Sequence, residues 1–320
     1  MEPKTVNPPI PEMKVARKSK RRTILYLLRK DWQLYSLLIL PILYLLIFKY
    51  GPMIGNVIAF RRFVPGGSIF GEQWVGLHYF RMFIEDPTFW RVFSNTLILG
   101  GLTMLLTFPM PIVFALLLNE VKNKKFKKFV QTASYLPHFL SIVIVAGMIL
   151  QLTALNGSIN SLIQFFGGDP INFMQQADWF RTIYVTSEIW QGMGWGAILY
   201  LAALTTIDDS LYEAARIDGA NRWKQTLHVT IPGILPTIVT VLILNMGSFL
   251  AVGFEKILLL YNPLIYETSD VISTYLYRVG LGSSNFSYAT AIGLFESIIG
   301  LILVLSVNAI SRKVTERSLW

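Results

Sequence analysis

The polar residues that interrupt the long apolar blocks of this chain are the groups with chemistry to offer. Tyr184, Ser187, Glu188, Gln191 and Trp195 recur at i, i+3, i+4, i+7 and i+11, which is one face of a helix. Thr237, Asn245, Ser248 and Phe249 fall on a similar stripe further along, and Tyr135, His138 and Ser141 on a third. Amides and hydroxyls can hydrogen-bond the hydroxyl groups of a sugar, and flat rings such as Trp195 and Phe249 can cover a pyranose face. The same residue types also bond one helix to another inside a membrane, and the pattern is compatible with both uses. Glu188 and Glu296 are acids within the blocks. Glu188 is expected near the outer end of its block, where a hydrated carboxylate costs little. Glu296 lies deeper and needs a partner, a proton or water. Proton relay by these two acids would suit an ion-coupled secondary transporter.

Covalent and metal chemistry have little to build on. His78, His138 and His228 are far apart, and the chain has no cysteine, so no metal site is expected. No G-x-x-x-x-G-K-[ST] loop is present, so no ATP or other cofactor is expected on this chain through such a loop. Ser248 follows Gly247, but no G-x-S-x-G surrounds it, and no catalytic residue is assigned.

The elements that must position these side chains are membrane spans. Of 320 residues, 53% are hydrophobic and 15% charged, and the apolar residues come in blocks of about twenty, the length that crosses a bilayer core. Six spans are predicted, over about 34–57, 95–118, 132–152, 182–206, 233–254 and 289–310, giving an all-α membrane protein. The first is interrupted by Pro41, Lys49, Gly51 and Pro52, and Pro109 and Pro111 are expected to kink the second. The net charge of +9 does not point to nucleic acid, because the basic residues flank spans instead of forming one face. Twenty of the 28 Lys and Arg fall in the N-terminal tail, in 122–128, between the fourth and fifth spans, and at the C-terminus. By the positive-inside rule both termini are cytoplasmic. This divides the chain into a basic tail over 1–33, a membrane domain over 34–312 and a short tail over 313–320. The tail reads as cytoplasmic and not as a signal peptide, since no A-x-A-like site follows the first apolar block. Three loops rich in glycine and aromatics (59–94, 153–181 and 255–288) then face outward.

Between the fourth and fifth spans lies the longest polar interval of the second half, over 208–232. Ser210 and Glu213 have the spacing of a capping box, Asp218-Gly219 can end the short helix that follows, and Asn221 can start another. Pro232 and Pro236 are expected to mark the return into lipid. On spacing alone this is a capped loop helix. Its residues say more. Glu213-Ala214-Ala215, Asp218-Gly219-Ala220, Ile231-Pro232 and Leu235-Pro236 resemble the EAA loop of binding-protein-dependent ABC importer permeases. Trp74-Val75-Gly76-Leu77 with Tyr79, Asp86, Phe89 and Asn95-Thr96 is similar to the approach to the core of sugar-importer permeases. The stretch from Ile189-Trp190-Gln191 to Tyr200-Leu201-Ala202-Ala203-Leu204 looks like the subgroup that handles complex oligosaccharides, aldouronates included.

The resemblance implies a type I importer permease fold in a bacterial cytoplasmic (inner) membrane, and a non-enzymatic subunit that forms the path for a complex oligosaccharide. It implies three kinds of partner: a second homologous permease, two ATPase subunits that use ATP and Mg, and an external substrate-binding protein. Glu213, Ala214, Ala215, Asp218, Gly219 and Ala220 would couple the ATPase to the path. Gln191, Gly192, Trp195, Asn245, Ser248 and Phe249 would line that path, with Ser141 added from the third stripe. The alternatives are an ion-coupled sugar transporter or a membrane scaffold that transports nothing.

Overall fold

The computed structural model describes residues 30–246, 249–250 and 252–315, and their side chains as far as residue 309. The N-terminal tail before residue 30, Ser248, and the C-terminal tail beyond Thr315 lie outside the described residues. The chain divides into two units, one ending at Asn56 and the other starting at Val57.

The first unit is helical. Helix α1 (Trp32–Leu45) runs through Pro41, opens into a wide turn at Leu46–Tyr50 and continues through Gly51–Ile54. In that wide turn the Gly51 N–H reaches back five residues to the Leu46 carbonyl. Pro52, next in sequence, lacks an N–H and would crowd the carbonyl four residues earlier, so widening the turn relieves the clash without ending the helix. The expected interruption is therefore a local bulge.

The second unit opens with a two-residue hairpin in which β1 (Arg61–Arg62) pairs antiparallel with β2 (Gln73–Trp74). Helix α2 (His78–Glu85) leads to α3 (Thr88–Thr107), which is joined through Phe108 to α4 (Pro109–Glu120). The third predicted span is not one helix. Helix α5 (Lys124–Tyr135) passes into a tight turn at Leu136–Phe139, the chain extends at Leu140, and Ser141 starts α6 (Ile142–Thr153) as its N-cap. A short α7 (Ser158–Phe165) follows, then the 28-residue α8 (Ala177–Leu204), about 42 Å long.

Between α8 and the fifth span the chain forms α9 (Asp209–Ile217) and α10 (Arg222–Gln225), then a wide turn at Thr226–Thr230, then α11 (Ile231–Met246). The helix is continuous from Arg222 to Met246. Pro232 and Pro236 lie within this helix and do not interrupt it. The wide turn just before Pro232 repeats the solution seen before Pro52. The fifth span does not run to 254 as one helix: the described helix reaches Met246, Phe249 and Leu250 form a bend, and α12 (Phe254–Leu260) follows as a separate helix. The last elements used below are α13 (Ile272–Tyr277) and α14 (Phe286–Thr315).

Among the described residues five helical stretches are long and apolar enough to cross a membrane: Trp32–Phe60, Thr88–Glu120, Ile142–Phe165, Arg222–Met246 and Phe286–Ala309. Helix α8 is long enough but too polar. It packs against α3, α4, α5 and α11. Its buried face holds Phe180, Tyr184, Val185, Ser187, Gly194, Ala197 and Tyr200. Small residues let the backbones approach, as in other membrane bundles. A Cβ on Gly194 would run into the backbone carbonyl of Ser134 on α5.

At the end of the bundle remote from the α8–α11 connection, a buried polar network joins the loops to the helices. Asp270, with no exposed surface, accepts from Arg278 at 2.7 and 3.1 Å and from Thr274 at 3.0 Å, with Arg91 at 3.5 Å. Asn95 donates to the carbonyls of Glu267 and Asp270 and accepts from Arg181. Asp86 accepts from the Tyr275 hydroxyl and the Thr88 N–H, each at 2.7 Å. Burial pushes the Asp86 carboxyl up, but hydrogen bonds from Tyr275, Thr88 and Tyr288 outweigh it and hold it below its ordinary value.

Replacing Gly194 by alanine should destabilise the purified protein by about 1–3 kcal/mol through overpacking, read as a lower melting temperature in detergent. A variant with an unchanged melting temperature would show that the α5–α8 contact yields freely. Because the folded Asp86 carboxyl is depressed, its contribution is complete above the ordinary carboxylate value and fades as pH falls through the lowered one. Asp86→Asn should therefore loosen the α2–α3 segment at neutral pH and reduce its acid sensitivity, measured as protease or hydrogen-exchange protection against pH. Equal pH profiles for the two proteins would remove Asp86 from that role.

Candidate functional site

Two features stand apart from ordinary packing: an exposed elbow and a pair of adjoining cavities. The elbow starts where Asp208 takes an extended conformation and its carboxylate accepts from the Ser210 N–H at 2.9 Å. That amide, together with the Ser210 hydroxyl, holds the Asp208 carboxyl below its usual range. The N-cap is therefore Asp208 and the Ser210/Glu213 capping box does not form. The helix begins two residues earlier, which makes Ser210 part of its first turn and leaves Glu213 exposed.

The far end of α9 is closed as the sequence predicts. Gly219 sits at φ +76°, its N–H bonds to the Arg216 carbonyl, and the Ala220 N–H bonds to that of Ala215. This is the paired closure of a Schellman motif, and only the residue in the left-handed conformation must be glycine-like. Asn221 then caps α10 by accepting from the Lys224 N–H. Gln225 donates to the Ala220 carbonyl, and the hydroxyls of Tyr212 and Thr230 meet at 3.1 Å, which fixes both arms to the base of α11. Arg222 pairs with Glu120 at the end of α4.

Glu213, Ala214, Asp218 and Gly219 are exposed, with Ala215 and Ala220 half-buried. Glu213 has no hydrogen-bond or ion-pair partner among the described residues. The elbow also exposes three large apolar side chains, Leu211 at 53%, Ile217 at 86% and Trp223 at 72%. The motif residues drew attention in the sequence and these three did not, although an apolar residue in so polar a stretch was the available signal.

The cavities lie along α3, α8 and α11. One, of about 290 Å³, is lined by Gly100, Thr103, Met104, Thr107, Tyr184, Glu188, Asn245, Phe249, Val252 and Gly253. The other, of about 280 Å³, is lined by Thr107, Phe108, Pro111, Glu188, Gly192, Met193, Gly196, Leu199, Tyr200, Val241 and Asn245. Thr107, Glu188 and Asn245 belong to both and mark their junction. The Thr103 hydroxyl and the Tyr200 hydroxyl find no hydrogen-bond partner among the described residues. A larger cavity of about 590 Å³ lies between α6, α7 and α8, but Met148, Ile149, Leu152, Ile163, Phe173 and similar side chains make it almost wholly apolar. The two smaller ones carry the polar groups.

Of the path residues expected from the sequence, Gly192, Asn245 and Phe249 line these cavities. Gln191 and Trp195 do not. Trp195 stacks flat on His138 with ring centres 4.5 Å apart, and Ser141 uses its hydroxyl to cap α6 at Ile144. Ser248 lies outside the described residues. Thr103, Thr107 and Tyr200 were not picked out by the sequence pattern, though Thr103 and Thr107 stand four apart on one helix face.

Glu188 is not simply a hydrated carboxylate. Lys256, at the start of α12 and 1% exposed, meets its Oε1 at 2.5 Å. The ammonium also lies 3.5 Å from the Ser187 hydroxyl and 5.8 Å from the centre of the Tyr184 ring. Sequence reading placed Lys256 in an outward loop, since nothing local tells that a lysine 68 residues downstream folds back onto α8. Glu296, half-buried, has no ion pair or hydrogen bond among the described residues. No group of three or more His, Asp or Glu side chains among the described residues is placed to hold a metal ion.

Residues 107–316 match the family described as binding-protein-dependent transport system inner membrane component. The polygalacturonan/rhamnogalacturonan transport system permease protein YteP of Bacillus subtilis (strain 168) is 45% identical over 307 residues, 96% of each chain. Protein LplB of the same organism is 45% identical over 92% of each chain. Among solved structures, a chain of a bacterial ABC transporter that imports the acidic polysaccharide alginate matches with a TM-score of 0.85 at 44% identity. That match covers 92% of this chain and 99% of that one. The alginate transporter bound to a periplasmic protein carrying an alginate pentasaccharide matches with the same score and identity, over 91% and 98%.

Proposed function

The chain belongs to the family of inner membrane components of binding-protein-dependent transport systems, and on that premise we propose that its two adjoining cavities form half of an import path for a uronic-acid-containing oligosaccharide. It is a multi-pass permease subunit of the cytoplasmic membrane with the type I importer fold, not an enzyme. The observation that carries the reading is the row of neutral hydrogen-bonding groups, Thr103, Thr107, Asn245 and Tyr200, with the Phe249 ring, along a polar seam inside the bundle. Such a wall can exchange hydrogen bonds with successive sugar hydroxyls without holding any one of them tightly. The relatives' substrates, polygalacturonan, rhamnogalacturonan and alginate, set the chemical class.

A substrate-binding protein delivers the sugar at the end remote from the elbow, and a second homologous permease completes the path. The elbow receives the ATPase subunits, two copies per transporter, which bind ATP and Mg; this chain binds neither. Leu211, Ile217 and Trp223 are apolar surface that a partner would cover, with the unpaired carboxylate of Glu213 for a basic group on that partner. Both termini lie on the elbow side of the membrane in this arrangement. The small side chains of Ala214, Ala215 and Ala220 permit close approach, and the closed end at Asp218-Gly219 lets α9 move as a rigid piece.

Gly192→Phe tests the path. A Cβ there meets open space, so the ring should enter the cavity of about 280 Å³ and cut oligosaccharide uptake about tenfold or more without lowering abundance or partner recovery. Uptake at the wild-type rate would remove this cavity from the path. Gly219→Val tests the elbow: a β-branched residue is strained at positive φ, so uptake should fall about tenfold or more while Gly219→Asn retains most of it. Full uptake by Gly219→Val at normal abundance would separate the elbow from energy coupling.

A further inference from the structure

The walls of the two cavities contain one ionisable carboxylate, Glu188, and no lysine or arginine among the described residues. For a polyanionic sugar that is the wrong sign. A bare carboxylate at the junction of two cavities in a low-dielectric bundle would repel each uronate as it passed, with little screening by salt. The structure meets this charge from behind. Lys256 reaches Glu188 at 2.5 Å from α12, is itself 1% exposed, and lines neither cavity. Ser187 and the Tyr184 face complete its surroundings. The path therefore presents a neutralised pair in which the carboxylate faces the sugar and the ammonium stands behind it.

The geometry points to Lys256 as a specificity-determining residue: by cancelling the charge of Glu188, it makes the cavity junction passable to carboxylated sugars. This deepens the reading of an acidic oligosaccharide path and rests on it. Lys256 does not grip the substrate. Its role is to remove a field that would select against it, and so its loss should matter far less to an uncharged oligosaccharide of the same size.

The test uses the complete transporter, purified through this chain with its partner subunits and reconstituted with the binding protein, and a labelled tetragalacturonate as probe. Lys256→Met should lower uptake about tenfold or more at low salt. Glu188→Gln/Lys256→Met, which removes both charges, should restore uptake to within about threefold of wild type. Lys256→Arg should retain it, and all variants are compared at equal recovery of partner subunits. Restoration by the double variant is the decisive result, because a merely structural loss would persist or worsen. Wild-type uptake by Lys256→Met, or no recovery in the double variant, overturns the inference. A wild-type complex that assembles but takes up no tetragalacturonate, while taking up a neutral oligosaccharide, overturns the acidic-sugar reading and the inference with it. That failure is told apart by appearing in the wild type.

Discussion

A polar helix cannot face hydrocarbon, and that constraint organises this protein. Helix α8 carries Asp178, Arg181, Ser187, Glu188 and Gln191 along one length, which no lipid-facing helix tolerates. It is enclosed by α3, α4, α5 and α11. Enclosure demands close backbones, and Gly194 against Ser134 supplies one such contact. It also demands that each polar group find a partner or a wet surface. Arg181 reaches Asn95, Glu188 reaches Lys256, and Ser187 donates to the Tyr184 carbonyl, while Tyr184, Glu188, Gly192 and Tyr200 line the cavities. The polar cavities and the packing of the bundle arise from one arrangement.

Much of this was legible. Blocks of apolar residues located the five long apolar helices, although the third prediction ran across the break at Leu136–Ser141, and the polar stripe from Tyr184 to Trp195 fell on a single helix, α8. Asp218-Gly219 and Asn221 gave the closed end of one elbow helix and the start of the next. What failed to show was competition between equivalent local options. Asp208, Asp209 and Ser210 can each cap a helix, and only the chain's path from α8 selects Asp208. Ser141 was assigned to a polar face, but a serine next to a backbone break is drawn to the free N–H groups of the helix it starts. Contacts across long sequence separations were also invisible. Lys256 lies 68 residues from Glu188 and Arg91 lies 179 from Asp270, and no local pattern joins either pair.

The elbow and the cavities differ in how their residues are held. Most elbow hydrogen bonds run between residues a few positions apart, with Tyr212–Thr230 and Arg222–Glu120 as the longer ties, so most of the stretch can be read alone. Cavity residues come from three separated parts of the chain, and their meeting depends on how each helix is rotated about its axis.

That dependence gives the wide turn at Thr226–Thr230 a meaning beyond its accommodation of Pro232. It takes up one more residue than an ordinary helical turn, and every side chain after it inherits the offset. Without that extra residue Asn245 would stand about 100° round the axis of α11, out of line with Thr107 and Glu188. A bulge at one end of the helix thus sets the angular phase of the polar group at the other.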